Sequence, residues 1–165
     1  MGNGLEEGVD VGPLVNAATR DKVAAFVGDA VAKGAKLLLG GVAPDRPGYY
    51  YPPTVLTDVP ESADCVHDEI FGPVAALQTF TDAEDVIRRA NATEYGLVAY
   101  VFTGDFRRGL QLCERLDYGM VGLNRGLVSD PAAPFGGTKQ SGLGREGGHE
   151  GMLEFTETQY IPAEW

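Results

Sequence analysis

An acidic and an aromatic residue stand two positions apart before a turn, in the sequence Asp68-Glu69-Ile70-Phe71-Gly72-Pro73-Val74. The Gly-Pro pair predicts a turn, and the apolar residues after it predict a strand. The functional interpretation is that the acid and the aromatic residue belong to a site. A surface acid at the start of a strand gives the same pattern, so these residues alone leave both interpretations open.

The two cysteines, Cys65 and Cys113, are the first candidates for a nucleophile. A catalytic thiol needs a neighbouring base or cation that lowers its pKa. Cys65 lies two positions before His67, but carboxylates at neighbouring positions raise a thiol pKa. Cys113 falls on the apolar face of a predicted helix. We therefore predict no catalytic role for either thiol and, because two cysteines do not form a multi-bridge framework, a reducing, cytoplasmic location.

Two further patterns are weak. The sequence Gly142-Leu143-Gly144-Arg145-Glu146-Gly147 matches G-x-G-x-x-G, the dinucleotide fingerprint, but no strand directly precedes it and no long helix follows. His67-Asp68-Glu69 and His149-Glu150 lack the spacing of metal ligands, because adjacent side chains diverge. The sequence therefore predicts no metal site.

The overall charge excludes other classes of partner. The 165 residues include 13 Lys+Arg and 24 Asp+Glu, for a net charge of −11. Such a chain repels phosphate backbones and anionic lipids, so we expect neither nucleic acid nor a membrane as partner. No apolar run reaches the roughly 18 residues that span a bilayer. The 44% of hydrophobic residues suffices for a folded core.

The first half of the chain predicts one long helix and two short strands. Asn16 can cap a helix that ends at Gly34. Lys36–Leu39 and Tyr50–Val55 have the apolar and β-branched residues of strands. The apolar face of the helix is formed by Val23, Phe26, Val27, Ala30 and Val31.

The second half predicts an α/β fold with a β-α-β-α-β order. The strands are Val74–Phe80, Leu97–Thr103 and Met120–Asn124. The capping box Thr81-Asp82-Ala83-Glu84 begins the first helix, which carries Val86, Ile87 and Ala90; the second helix carries Phe106, Leu110, Cys113 and Leu116. This alternation predicts a single parallel sheet, with ligands at the carboxyl ends of its strands.

The segments after the last of these strands have different patterns. Arg125–Gly148 is Gly-rich and has neither helical nor strand periodicity, and long loops of this kind are usually functional. Phe155–Ile161 alternates apolar and polar residues, which predicts a half-exposed strand. We expect this strand to pair with an exposed sheet edge, such as one on another subunit.

Taken in order, these segments resemble the aldehyde dehydrogenase superfamily, and 139–147 looks most like succinate-semialdehyde dehydrogenases. The resemblance implies the later part of a catalytic domain at 1–148 and a terminal oligomerisation strand at 149–165. It also implies that this is a C-terminal part, with the N-terminal NAD(P)-binding domain absent. The matching motifs are Gly12-Pro13-Leu14-Val15-Asn16, Lys33-Gly34-Ala35-Lys36 with Gly40-Gly41, Pro53-Thr54-Val55-Leu56, Glu69-Ile70-Phe71-Gly72-Pro73-Val74, Asn91 with Tyr95-Gly96-Leu97, Pro134-Phe135-Gly136-Gly137 with Lys139, and Ser141-Gly142 with Gly144-Arg145-Glu146.

The resemblance also implies roles for particular residues. Family members bind NAD or NADP, and by motif match Glu69 accepts hydrogen bonds from the nicotinamide ribose while Phe71 packs beside the nicotinamide. Lys22 is a further candidate for the same ribose. Phe135 is expected in the wall of the substrate pocket, with Ser129 placed to bind a substrate carboxylate. Arg125 and Asp130 depart from the subfamily pattern: Arg125 is a candidate to assist carboxylate binding, and Asp130 is a candidate to repel the anion.

The resemblance implies that the nucleophilic Cys and the general-base Glu of the family are not among these 165 residues. We therefore expect a part of an NAD(P)-dependent semialdehyde dehydrogenase, a homo-oligomer at full length, that is inactive alone. The alternative is a non-catalytic module that joins or modulates a full-length dehydrogenase oligomer.

Overall fold

The computed structural model describes all residues, 1–165, and forms two compact units, Met1–Thr81 and Asp82–Trp165. Both units mix helices with short strands. The first unit contains α1 (Ala17–Ala32), β1 (Lys36–Leu39), β2 (Thr54–Thr57), α2 (Asp64–His67) and β3 (Val74–Ala76). The second contains α3 (Ala83–Asn91), β4 (Tyr95–Gly96), β5 (Val98–Val101), α4 (Phe106–Cys113), β6 (Met120–Leu123), β7 (Thr138–Lys139) and α5 (Glu150–Leu153).

Helix α1 confirms the predicted cap and most of the predicted buried face. The Thr19 N–H donates to Asn16 Oδ1 at 2.8 Å, which satisfies a main-chain donor that the first turn leaves free. Gly34, at a φ of 112°, follows the last turn. Val31 was expected on the buried face, but its side chain is exposed because it lies at the C-terminal end of the helix, past the last residue in contact with the core.

A three-stranded sheet in the order β1-β2-β3 packs against α1. Strands β1 and β2 are antiparallel, with an irregular register between Leu37 and Leu39, whereas β2 and β3 are parallel. The predicted strand Tyr50–Val55 begins later than expected, at Thr54. The physical reason is that Pro52 and Pro53 have no main-chain N–H to donate to a neighbouring strand.

The core of the first unit lies between α1 and β2. Leu56 on β2 and Tyr51 just before it are among its fully buried residues, together with Val23. The Tyr51 hydroxyl donates to the Gly41 carbonyl oxygen at 3.0 Å, so this buried polar group is satisfied. Burial raises the pKa of Tyr51, so its hydroxyl stays protonated and continues to donate.

The second unit contains a parallel pair, β5 with β6, and a short antiparallel pair, β4 with β7. The predicted single β-α-β-α-β sheet is not what the structure shows. Its first strand, β3, pairs with β2 in the first unit instead. Alternating apolar runs identify strands correctly, but hydrogen-bond partners depend on packing that periodicity does not encode.

The helices of the second unit differ from expectation in their details. Asp82, rather than Thr81, caps α3, since the Glu84 N–H donates to Asp82 Oδ1 at 3.1 Å. The Glu84 side chain pairs with the Arg115 guanidinium (Nη1 to Oε1, 2.6 Å), which lowers the pKa of Glu84. The capping box predicted from Thr81 is therefore not formed, because Glu84 has a cationic partner.

Helix α4 buries only part of the apolar face that the sequence predicts. Its buried residue is Gly109, which approaches Leu123 of β6, whereas Phe106 is 66% exposed and Leu110 is exposed. A residue without a side chain lets the helix lie close to the strand. Cys113 and Leu116, which share a face with Gly109, are half-buried, so only the Phe106 and Leu110 part of the predicted apolar face is exposed.

The strand predicted at Phe155–Ile161 has no strand partner within this single chain, and its pairing with another subunit stays a prediction. Helix α5 ends at Leu153, and no residue after it is in a helix or strand. An extended segment becomes a strand only when a neighbouring strand accepts and donates its main-chain hydrogen bonds, and within this chain no such neighbour is present. No helix in the structure is both long enough and apolar enough to cross a membrane.

The contrast between two leucines of the first sheet yields a stability prediction. Leu56→Ala removes a side chain that is 0% exposed, and we expect it to lower the free energy of unfolding by about 2–5 kcal/mol. Leu38→Ala, at a position that is 64% exposed, is the matched control and should change it by less than about 0.5 kcal/mol. Urea denaturation followed by circular dichroism measures both values. Equal losses in the two variants would contradict the assignment of the core.

Candidate functional site

The three candidate cofactor-binding residues lie in the first unit, on elements that contact each other. Lys22 is on α1, whereas Glu69 and Phe71 lie in the segment between α2 and β3. All three side chains are exposed, and Phe71 is 68% exposed. The Glu69 carboxylate takes part in no hydrogen bond or ion pair within the chain. The segment therefore presents a free acceptor and an aromatic face to solvent.

The main chain beside Phe71 is fixed by close packing on α1. A Cβ atom built on Gly72 would lie 2.7 Å from a methyl carbon of Val23, so only glycine fits this approach. The next residue is tied to β2, because the Thr54 N–H donates to the Pro73 carbonyl oxygen at 2.8 Å. Glu69 and Phe71 thus project from a main chain that is held against the core at its C-terminal end, next to the helix that carries Lys22.

Lys22 is placed by a contact along its own helix. Its ammonium nitrogen lies 5.0 Å from the centroid of the Phe26 ring, a cation–π interaction that uses none of the three N–H donors. Together the three residues offer a cation, a carboxylate and an aromatic face. That combination suits a ligand with hydroxyl groups and a planar ring.

Phe135 lines a cavity. The cavity is within the second unit, has a volume of about 330 Å³, and is also lined by Leu97, Ser141, Leu143, Arg145 and Glu154. Two main-chain hydrogen bonds hold Phe135, from its N–H to the Glu146 carbonyl at 2.7 Å and back at 2.8 Å. A half-buried ring held in this way can form an apolar part of the wall of a pocket that Arg145 and Glu154 also line.

Arg125 and Ser129 do not line this cavity. Both are exposed, in the segment that follows β6. Arg125 Nε donates to the Leu127 carbonyl at 2.7 Å, which leaves its terminal NH2 groups available. Asp130, next to Ser129, accepts the Ala132 N–H at 2.9 Å and so is engaged in its own turn. Neither residue therefore forms part of the wall of the Phe135 cavity.

Polar side chains to which the sequence patterns assigned no role hydrogen-bond main-chain groups of the Gly-rich segment 125–148 and its neighbours. Arg145 Nη1 donates to the Gly137 carbonyl at 2.8 Å and to the Gly144 carbonyl at 2.6 Å. Ser141 Oγ accepts the Gly96 N–H at 3.0 Å. Lys139 Nζ bonds the Asn91 carbonyl at 3.1 Å, at the end of α3. The signal was present in the sequence, because polar residues alternate with glycines whose carbonyl groups need donors.

The Cys65 thiol is not activated by its surroundings. Burial raises the pKa of the Cys65 thiol, and the nearby Asp29 and Asp64 carboxylates raise it further. A thiol in that setting is not activated. No group of three or more His, Cys, Asp or Glu side chains is arranged to hold a metal ion.

The sequence relatives are dehydrogenases of aldehydes that carry an acid group. The chain is 54% identical to a succinate-semialdehyde dehydrogenase of Paenarthrobacter nicotinovorans, over 97% of this chain and 36% of that protein. It is 47% identical to a glutarate-semialdehyde dehydrogenase of Pseudomonas aeruginosa, over 98% of this chain and 33% of that protein. The chain thus spans about a third of the length of the curated relatives it matches.

Solved structures agree with these sequence matches. A crystal structure of an NADP-dependent enzyme of E. coli superposes with a TM-score of 0.92 at 45% identity, over 97% of this chain and 33% of that one. An NAD+ complex of an aldehyde dehydrogenase from Bacillus cereus gives a TM-score of 0.85 at 40% identity, over 93% and 31%. Residues 1–161 match the aldehyde dehydrogenase family, to which this chain belongs.

Proposed function

We propose that this chain is part of an NAD(P)-dependent aldehyde dehydrogenase that oxidises a semialdehyde to a carboxylic acid, with succinate semialdehyde as the first candidate. The observation that carries the proposal is the family match over residues 1–161, in which Glu69 and Phe71 stand free on a fixed main chain. Relatives named for succinate and glutarate semialdehyde support the substrate class, since both compounds are aldehydes that end in a carboxylate.

The residues of the first unit fit a nicotinamide cofactor. The Glu69 carboxylate would accept hydrogen bonds from the nicotinamide ribose hydroxyls, and Lys22 would donate to the same ribose. Phe71 would pack beside the nicotinamide ring. Bound NAD or NADP supplies the hydride acceptor, and these side chains restrict its orientation. Solved neighbours include an NADP-dependent enzyme and an NAD+ complex, so the proposal covers both cofactors.

The nucleophile and the general base are proposed to come from residues outside these 165. Burial and the Asp29 and Asp64 carboxylates raise the pKa of the Cys65 thiol despite the opposing effect of Lys33, so this thiol is not activated; Cys113 lies on α4 beside Glu114. We therefore propose that the chain binds and orients but does not turn over by itself. Both cysteines are free, in keeping with a reducing, cytoplasmic compartment.

The residues of the second unit supply the proposed substrate contacts. Phe135 forms an apolar wall, and the Ser129 hydroxyl and the Arg125 guanidinium offer donors to the distal carboxylate of a semialdehyde. Exposure of both polar side chains leaves them free to meet an anion.

The cofactor role of Glu69 is tested in a chimera in which this chain replaces the matching segment of the Paenarthrobacter enzyme. We expect Glu69→Gln to raise KM for NAD(P)+ about tenfold, because a charged acceptor of ribose hydrogen bonds is lost. Asp68→Asn, one position earlier and equally exposed, is the matched control and should leave KM unchanged. Initial rates at varied cofactor concentration measure both. A folded but inactive parent chimera, or equal effects of the two substitutions, would contradict the proposal.

The substrate role of Arg125 is tested by comparing two aldehydes of equal chain length in the same chimera. Arg125→Gln should raise KM for succinate semialdehyde about five- to tenfold and leave KM for butyraldehyde unchanged, because only the first carries a carboxylate. Arg107→Gln removes an exposed arginine of α4 and serves as the control. An equal change for the two aldehydes would show that Arg125 does not read the carboxylate.

A second function, assembly without catalysis, is favoured by the exposed C-terminal segment. Phe155, Tyr160, Ile161 and Trp165 are exposed, and the segment has the alternation of a strand without a strand partner. We propose that this segment pairs with another subunit, as in a homo-oligomer of the full-length protein.

Size-exclusion chromatography with the full-length Paenarthrobacter enzyme tests this assembly. We expect the chain to co-elute with that enzyme, and a chain shortened to residues 1–156 to elute separately, because the segment that would form the added strand is missing. Separate elution of both chains would remove the support for the assembly function.

A further inference from the structure

Three charged groups join α1 to α2 in the first unit. Lys33 Nζ lies 2.7 Å from Asp29 Oδ1 and 2.8 Å from Asp64 Oδ1. The second oxygen of Asp29 accepts the Asp64 main-chain N–H at 2.9 Å. Both oxygens of Asp29 are therefore used, one on an ammonium group and one on the start of α2. We call these residues the Asp29–Lys33–Asp64 cluster.

Helix α2 depends on such external contacts. It has four residues, none of them buried, and no side-chain hydrogen bond at its N-cap, Ala63. A helix of one turn is not stable by itself, since one hydrogen bond does not offset the conformational entropy of its residues. Ala63 itself is fully buried, and the cluster adds polar contacts on the side of α1. Without the Asp29 carboxylate, the Asp64 main-chain N–H loses its acceptor.

The cluster lies at the start of the segment that carries Glu69 and Phe71. The end of the same segment is fixed where Gly72 packs on Val23 and Pro73 bonds Thr54. Helix α1 thus holds this segment at both ends, with the exposed side chains between them. Displacement at either end would move the carboxylate and the ring relative to Lys22, which is on the same helix.

We infer that Asp29 and Lys33 are positioning residues for the nicotinamide cofactor, because the cluster fixes the start of the segment that presents Glu69 and Phe71. The inference rests on the proposed function, since it takes those two residues as cofactor contacts. The proposed cofactor contacts do not include Asp29 or Lys33. They act through the main chain between Asp64 and Gly72.

The electrostatics of the cluster agree with a persistent contact. The Lys33 ammonium, and then the Asp64 N–H, lower the pKa of Asp29 below its ordinary value of 3.8. Asp29 and then Asp64 raise the pKa of Lys33 above 10.5. Both side chains therefore remain charged across the neutral range. Partly exposed ion pairs add little to global stability, so the expected effect of removing them is local.

Hydrogen–deuterium exchange of the chain tests the cluster without any activity. We expect Asp29→Asn and Lys33→Met to speed amide exchange at 64–72 by about three- to tenfold, as for the loss of one charge-assisted hydrogen bond. Lys36→Met is the matched control: it removes the exposed ion pair between Lys36 of β1 and Asp58. We expect it to leave amide exchange at 64–72 unchanged. Unchanged exchange at 64–72 in both cluster variants, at an unaltered melting temperature, would overturn the inference.

The chimera gives the functional readout. Asp29→Asn and Lys33→Met should raise KM for NAD(P)+ about three- to tenfold while kcat and the KM for aldehyde stay unchanged, and Lys33→Arg should restore the parent KM. A general loss of stability would lower active enzyme and hence kcat instead, and that outcome would overturn a positioning role.

The Glu69→Gln and cluster variants together distinguish failure of the proposed function from failure of the positioning role. If Glu69→Gln leaves KM for NAD(P)+ unchanged while the cluster variants still speed exchange, the segment has no cofactor role and the inference falls with it. If Glu69→Gln raises KM but the cluster variants alter neither exchange nor KM, the proposed function stands and the positioning role is wrong.

Discussion

The contact between Val23 of α1 and the main chain at Gly72 connects the core of the first unit to its candidate site. Val23 is 1% exposed, so its side chain packs on the sheet and on the segment before β3 at once. Helix formation from Asn16 sets the direction in which Val23 points. The hydrophobic burial that stabilises the unit therefore also fixes the main chain from which Glu69 and Phe71 project.

The Gly-rich segment of the second unit has few apolar side chains to bury, so hydrophobic burial contributes little to holding it in place. Its main-chain carbonyls are instead satisfied by long cations, Arg145 on Gly137 and Gly144, and Lys139 on Asn91 at the end of α3. Each replaces water on a carbonyl that would otherwise be left without a donor. Phe135 owes its place to this polar framework, which is why hydrophobic periodicity could not locate it.

Local signals predicted the local structure. The cap at Asn16, the strand Lys36–Leu39 and the parallel pair of β5 with β6 all follow from propensity and periodicity. The predictions that failed concern the packing partner of an element: β3 pairs with β2, and α4 packs through Gly109. Both outcomes depend on partners distant in sequence, to which a pattern read along one segment has no access. The strand predicted at Phe155–Ile161 stays a prediction, because its expected pairing is with another subunit.

The candidate site shows why residue types alone left two interpretations open. An acid before a Gly-Pro turn is usually a solvated surface residue, and Glu69 is indeed exposed. What distinguishes this position is the combination of free side chains with a main chain bonded at Asp64 and Pro73 and packed at Gly72. A binding group must be held in place by its neighbours while its own polar atoms stay unused, since otherwise ligand binding would have to break an existing bond or order a mobile loop. Fixation at both ends meets that requirement for the proposed cofactor-binding role of Glu69.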